Sequence, residues 1–304
     1  MSTVGIIGAC AQQAAGGGGE AYTSTKCVDF LPGISSNYMP LTFATTQGLR
    51  GSTADATYAL FKQDNSWSIS AWYKSSSAGV VVLCGRYNNS SPNQGLSIST
   101  TATGQCAIFL RNVAGSYLLG YTPGTDLYDG DWHHVVITYD GTGTEAGCDA
   151  FFDGSQIGFT TWSSSGAPIG TSSSTQVENS SSDLGGFVVG NRNLISSYGY
   201  TGRVDEVSLW DVALSSSEVT EIYGTGGDAG TPNNLNSHSQ ASKLVHWFKM
   251  GDATGDVIDW IVADGGTNTN TINDASTAAA YTRAIGTTNR IRTNQTSIVT
   301  DSPP

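Results

Sequence analysis

The sequence predicts an all-β sandwich with one short helix. Three observations carry this. Short runs rich in β-branched and aromatic residues recur from Cys27 to Tyr223, with little helical periodicity. Asp-Gly pairs and Gly/Ser-rich connections separate them, which is the punctuation of hairpins. Only 12% of the 304 residues are charged and 38 are glycine, so neutral polar groups solvate the surface; typical domains carry about 25% charged residues. At 38% hydrophobic and 10% aromatic the chain is not of disordered composition. Its length allows a sizeable core without metals or staples.

The elements follow in order. Residues 1–25 are small and include four consecutive glycines, Gly16 to Gly19; they read as an arm held by neighbouring subunits. Met1 to Glu20 has no Lys or Arg, unlike a signal peptide. Ser66 to Tyr73 alternates, placing Trp67, Ile69 and Ala71 on one face and Trp72 on the other. Val80 to Leu83 is a short buried run, and Gln105–Arg111 and Tyr117–Tyr121 continue the series. Trp132 to Tyr139 is a strongly β-prone stretch, followed by Asp140-Gly141. Asp149 to Phe152 is a strand closed by Asp153-Gly154, and each Asp-Gly pair predicts a tight hairpin turn. Gly186–Gly190 and Arg203–Trp210 complete the strands. Ser215 and Glu218 form a capping box with Leu214 and Val219 as a hydrophobic staple, so a two-turn helix runs to Tyr223 and ends at Gly224. Residues 225–243 read as a Gly/Asn/Ser linker. Leu244–Phe248 and Val257–Val262 resume strand character, and the Thr/Asn-rich stretch 265–304 reads as an extended tail. Three regions result: an N-terminal arm (1–25), a sandwich (26–226), and a C-terminal region (227–304) of linker, a strand pair placed to complete the sandwich, and tail.

Composition excludes several functions. The net charge is −12 with only 13 Lys and Arg, whereas nucleic-acid binding draws on cations that neutralise phosphates. No apolar run reaches about 18 residues, so no membrane insertion is expected. The five cysteines, Cys10, Cys27, Cys84, Cys106 and Cys148, are odd in number and lack C-x-x-C spacing, so they read as reduced, buried small hydrophobes.

The same residues resemble a known family. Val28-Asp29-Phe30, Trp67 to Trp72, Asp131 to Gly141, Phe152-Asp153-Gly154, and Gly202 to Trp210 running into Ala213-Leu214-Ser215 and Glu218 resemble, in order, the concanavalin A-like, laminin G-like jelly roll. On this likeness Trp72, Trp132, His133, Gly154, Gly202 and Asp205 define the fold. Leu31-Pro32-Gly33 departs from the acidic turn usual there. Leu244 to Asp252 looks like the strand that opens such a domain, here following it, either as a permuted strand of the same sandwich or as the start of a truncated second unit. Ser237 to Ser239, Leu244 to Asp252 and Ile298 to Pro303 together resemble virion structural proteins of marine bacteriophages.

Candidate sites follow from residues and resemblance. His133 and His134 are adjacent on a strand and point to opposite faces, so they do not share a metal. Asp205, Glu206 and Asp211 raise glycoside hydrolysis, which needs two carboxyls about 5–5.5 Å apart in a retaining enzyme; Asp205 and Glu206 are expected on opposite faces, and the Glu-x-Asp-x-x-Glu arrangement of related glucanases is absent. No cofactor is required, and calcium is the one ion the resemblance admits, with Asp140, Asp153 and Asp205 as candidate ligands. Trp162, Tyr198 and Tyr200 are candidate sugar platforms.

The expected function is a non-enzymatic virion component, decorating the capsid or forming an appendage, with other virion subunits and its own copies as partners. The alternative is a carbohydrate-binding adhesin on a virion or bacterial surface, with cell-surface glycans as partners. A glycoside hydrolase stands third. Much of the neutral polar content is assigned to the arms and to loops such as Ser163–Ser165.

Overall fold

A computed structural model describes residues 24, 27–30, 39–41, 65–79, 82–88, 94–111, 116–165, 187–190, 200–224, 230–248, 269–274, 279–284, 296–299 and 303. The strands in chain order are β1 (Cys27–Phe30), β2 (Met39–Leu41), β3 (Trp67–Lys74), β4 (Val82–Asn88), β5 (Gln94–Thr100), β6 (Gln105–Arg111), β7 (Tyr117–Gly124), β8 (Trp132–Tyr139), β9 (Cys148–Phe152), β10 (Ser155–Gln156), β11 (Thr161–Ser165), β12 (Phe187–Val189), β13 (Gly202–Trp210), β14 (Leu244–Phe248), β15 (Thr269–Asp274), β16 (Ala279–Ala284) and β17 (Thr296–Val299). One helix, α1 (Ser216–Tyr223), follows β13.

Two antiparallel sheets form. The first has the order β10-β9-β8-β3-β13-β1-β17, with β14 also paired to β13. The second has the order β11-β7-β6-β5-β4-β12-β2. Alternation decides what each sheet buries. Trp67, Ile69, Ala71 and Tyr73 from β3, with Val135, Ile137 and Tyr139 from β8, meet Leu96, Ile98, Ile108, Leu110 and Leu118 from the second sheet in the main core. This is an aligned two-sheet sandwich of the jelly-roll kind.

The other face of the first sheet is also covered. Trp210, Val136 and Phe151 pack with Val219 and Ile222 of α1 and with Leu235, Leu244 and Trp247 from the C-terminal region. Here the serines of β3 and β13 bond to the covering layer. Ser68 Oγ donates to the Val212 carbonyl at 2.7 Å and accepts from Leu214 N at 2.9 Å. Trp210 Nε1 donates to Ser208 Oγ at 2.9 Å. Buried polar groups need such partners. The helix itself is fixed by the expected capping box, with Ser215 Oγ accepting from Glu218 N and Glu218 receiving the Ser215 amide.

The two Asp-Gly pairs behave differently. Asp153 and Gly154 adopt φ of 49° and 73°, both positive as a type I′ turn requires, and join Phe152 directly to Ser155. A Cβ on Gly154 would lie 2.6 Å from Tyr223 Cδ1, so the hairpin touches α1 through a glycine. Asp140-Gly141 is not a tight hairpin. It opens a longer loop with a 3-10 turn at Glu145–Gly147, because the Asp140 carboxylate accepts from Thr142 N and Oγ1 instead.

The C-terminal region departs from the expectation of linker and extended tail. Asn233 Nδ2 donates to the Glu221 carbonyl at 2.8 Å, closing the open end of α1. Leu244–Phe248 pairs antiparallel with Val207–Trp210, which places it in the same sandwich rather than in a second unit. Within 265–304, β15 and β16 form a hairpin and β17 adds to β1. Ser163–Ser165 is likewise strand, not loop. Residues 1–23, 249–268 and 198, which carry the N-terminal arm, the second C-terminal strand candidate and Tyr198, lie outside the described residues.

Candidate functional site

The expected calcium ligands do not converge. Asp140 sits after β8 and is turned onto its own loop. Asp153 sits in the β9–β10 turn, where Oδ1 accepts from His134 N and Oδ2 meets His133 Nδ1, both at 2.8 Å. Asp205 is fully buried in β13, where it accepts from Ser24 Oγ at 2.7 Å and from Glu206 N at 2.8 Å. Among the described residues no group of three or more His, Cys, Asp or Glu side chains is placed to hold a metal. Each candidate aspartate is explained by local hydrogen bonding.

Asp205 and Glu206 correct a second expectation. A bulge lies between Asp205 and Ser208 in the β3–β13 ladder, and Glu206 takes φ of 49°. The extra residue breaks the alternation. Asp205 stands opposite Trp72 on the outer face, and Glu206 reaches Trp247, whose Nε1 donates to it, on that same side. The two acids therefore do not lie on opposite faces. They are enclosed all the same, Glu206 at 4% exposure; Asp205 accepts from Ser24 Oγ and Glu206 N, and Glu206 Oε2 accepts from Trp247 Nε1. They offer no opening to a glycosidic bond.

His133 and His134 do point to opposite faces. His134, opposite Trp72, lies outside, 5.0 Å from that indole and 5.8 Å from Tyr223. Its Nε2 meets Ser70 Oγ at 2.8 Å. Burial holds its pKa down near 4, so it is neutral. His133 lies beside Phe152 between two acids, Asp153 at 2.8 Å and Asp129 at 3.0 Å. Burial alone would lower its pKa, but the two carboxylates outweigh it and hold it at about 9. Both ring nitrogens then donate, which only the imidazolium can do. The cluster ties the β7–β8 loop to the β9–β10 turn.

Of the expected sugar platforms, Tyr200 and Trp162 pack against the core, while Tyr198 lies outside the described residues. Tyr200 is fully buried and packs edge-on against Tyr73 at 5.7 Å. Trp162 stands opposite Gly120, packs against the core, and lies 5.1 Å from Phe159. Trp72 is buried under α1, stacked at 5.7 Å on Tyr223. Trp132 is partly exposed at the start of β8.

A different aromatic surface emerges on the second sheet. Cys106, Ile108, Leu110 and Leu118 enter the core, so the alternate residues Phe109, Arg111, Tyr117, Leu119 and Tyr121 form the outer face. All five are partly exposed. In register, Arg111 faces Tyr117, and Phe109 faces Leu119. Phe109 and Tyr117 rings lie 5.8 Å apart. On one side β11 adds the exposed Thr161 and Ser163, with Tyr117 Oη 3.5 Å from Ser163 Oγ. On the other, β5 follows in register with the small residues Gly95, Ser97 and Ser99, of which Gly95 and Ser97 are buried and Ser99 is partly exposed. Alternation in β6 and β7 marks these residues in the sequence, but only the pairing shows that they share one face.

A two-sheet, lectin-like sandwich with an aromatic sheet face is thus defined. The profile of the concanavalin A-like lectin/glucanases superfamily, in its laminin G-like form, matches residues 48–220, and the chain belongs to that family. No curated protein matches the sequence. Among solved structures, a candidate carbohydrate-binding protein from Bacteroides ovatus superposes with a TM-score of 0.52 at 16% identity, over 93% of this chain and 62% of that one. This chain therefore spans less than two thirds of that protein. A heptameric SAP-like pentraxin of Limulus polyphemus gives 0.41 at 15% identity, over 73% of this chain and 91% of that one. The CBM40 of a Ruminococcus gnavus IT-sialidase gives 0.40 at 15% identity, over 63% of this chain and 100% of that one. At these identities the likeness is one of fold. Among the described residues no helix is long and apolar enough to cross a membrane.

Proposed function

We propose that the chain is a non-catalytic carbohydrate-binding module. The row of Phe109, Tyr117 and Tyr121 on the outer face of the second sheet carries this reading. Rings with apolar faces and polar tips suit sugars, which present C–H faces and hydroxyl edges. Arg111, Thr161 and Ser163 supply hydrogen-bond donors around them. Family membership and the carbohydrate-binding description of the Bacteroides ovatus protein point the same way. The enclosed state of Asp205 and Glu206 supports binding over hydrolysis.

Glycan-array binding followed by titration tests the reading. Tyr117→Ala and Tyr121→Ala are each expected to weaken a bound glycan about tenfold, a loss of about 1.4 kcal/mol, with thermal unfolding unchanged. Binding to no glycan, or binding indifferent to both substitutions, would overturn it. The virion address expected from the sequence remains a separate proposal resting on that resemblance. Mass spectrometry of purified virions tests it, and absence of the chain from them counts against it.

A further inference from the structure

The acidity of the chain is unevenly placed. Asp and Glu number 25 against 13 Lys and Arg, and the strands of the first sheet include Asp29, Asp149, Asp205 and Glu206. Among the described residues, the strands of the second sheet carry no acid. Their charged residues are Arg86 and Arg111. An anion approaching the aromatic face therefore meets no carboxylate on the strands beneath it. Exposed charges farther off are screened over about 10 Å at 0.1 M salt.

Arg111 ends β6, two residues on from Phe109 and on the same face. Its cross-strand partners are Tyr117 on β7 and Gly95 on β5, and Gly95 has no side chain to engage it. The Phe109 and Tyr117 rings, 5.8 Å apart, stand beside it. Among the described residues no carboxylate pairs with Arg111. Its Nε is buried and has no hydrogen-bond acceptor, while the residue as a whole is partly exposed. A guanidinium does not shed its charge, and leaving a charged donor without an acceptor is costly. In an acidic protein this cation stands at the end of an aromatic row and lacks a counter-charge.

We propose that the ligand of the aromatic face is an acidic oligosaccharide, with a uronate carboxylate held by Arg111. The sugar rests on the carbohydrate-binding reading; the charge of the ligand rests on Arg111. The planar fork of a guanidinium matches the two oxygens of a carboxylate. Docking on Nε requires the side chain to turn outward, and the turn gives that N–H the acceptor it lacks. Tyr117, Leu119 and Tyr121 extend over about 14 Å of β7, longer than one sugar ring. Arg111 thus sets the register of a chain of sugars, with the acidic unit at the Tyr117 end and its neighbours running towards Tyr121. The exposed Thr161 and Ser163 on β11 border the same track.

Calorimetric titration of the full chain, with chelator present to exclude bridging cations, compares trigalacturonate, its methyl ester and a sulfated galactan trisaccharide. The ester keeps the sugar and removes the charge. Trigalacturonate is expected to bind at least tenfold more tightly than its ester, and its affinity alone to fall as salt is raised. Arg111→Gln is expected to bring the ratio of acid to ester below twofold with no loss of melting temperature. Arg111→Lys, which keeps the charge but not the fork, is expected to lose at least threefold for the acid. Equal affinity for acid and ester overturns the proposal, as does an acid-to-ester ratio that survives Arg111→Gln. A sulfated trisaccharide bound more tightly than trigalacturonate overturns the carboxylate assignment. Neutral glycans bound through Tyr117 and Tyr121, with no preference for the acid, overturn this inference and leave the carbohydrate-binding reading standing.

Discussion

His133 and His134 occupy adjacent positions yet pull stability in opposite directions with pH. His133 is held at about 9, above an unfolded value of about 6.5. Its contribution is complete below about pH 6.5 and is lost as pH rises through about 9. His134 is held near 4 by burial. Between about 6.5 and 4 the unfolded chain takes up a proton that the folded chain refuses, so stability falls as pH falls across that window. Melting temperature against pH is expected to decline on both sides of about 6.5, with His133→Gln flattening the alkaline limb and His134→Gln the acid limb. A flat alkaline limb in the unsubstituted protein would remove the imidazolium from the account. Tyr200 marks what single residues concealed. Its neighbours in sequence read as loop, but the chain turns inward there, and burial is a property of the closed sandwich that spacing does not encode. Tyr200→Ala is expected to cost about 3–5 kcal/mol, as large-to-small core changes do, measured by denaturant unfolding.

Elements with strong alternation or explicit caps were legible. β3, β8, β13 and α1 fall where the pattern of Trp67 to Tyr73, Trp132 to Tyr139, Arg203 to Trp210 and Ser215 to Gly224 placed them. β5 and β11 were not, because Gly95, Ser97, Ser99, Thr161 and Ser163 fill their outer positions and read as connection. Those same positions border the aromatic row, so the candidate site was hidden by the composition that shapes it. The bulge at Glu206 was also out of reach, since a non-glycine residue at positive φ leaves no trace in the sequence. At this scale two substitutions separate turn from cap. Gly154→Ala is expected to cost roughly 1–3 kcal/mol through strain at positive φ, more if Tyr223 does not move aside. Ser215→Ala is expected to cost about 1 kcal/mol by removing the N-cap. Thermal unfolding of both variants checks the order.

For the molecule as a whole, the C-terminal region is part of the fold rather than an appendage. β17 pairs with β1 from Cys27↔Val299 to Phe30↔Thr296, and β1 in turn pairs with β13. A chain ending before β17 is expected to keep its main core but to lose amide-exchange protection in Cys27–Phe30; full retention of that protection would show that β13 alone holds β1. The family and its two sheets were visible in the order of strands, whereas this closure was not, because Thr296–Val299 carries too few residues to announce a strand. The pairing also sets a clock. β1 leaves the ribosome early, but its partners on β13 and β17 are made far later, and at about 5–20 residues per second the wait is many seconds. During that time the hydrophobic strand Cys27–Phe30 has no edge to join. The charge of Asp29 within it and the glycines that precede it, poor strand formers, work against pairing of this orphan strand with other chains until its partners are made.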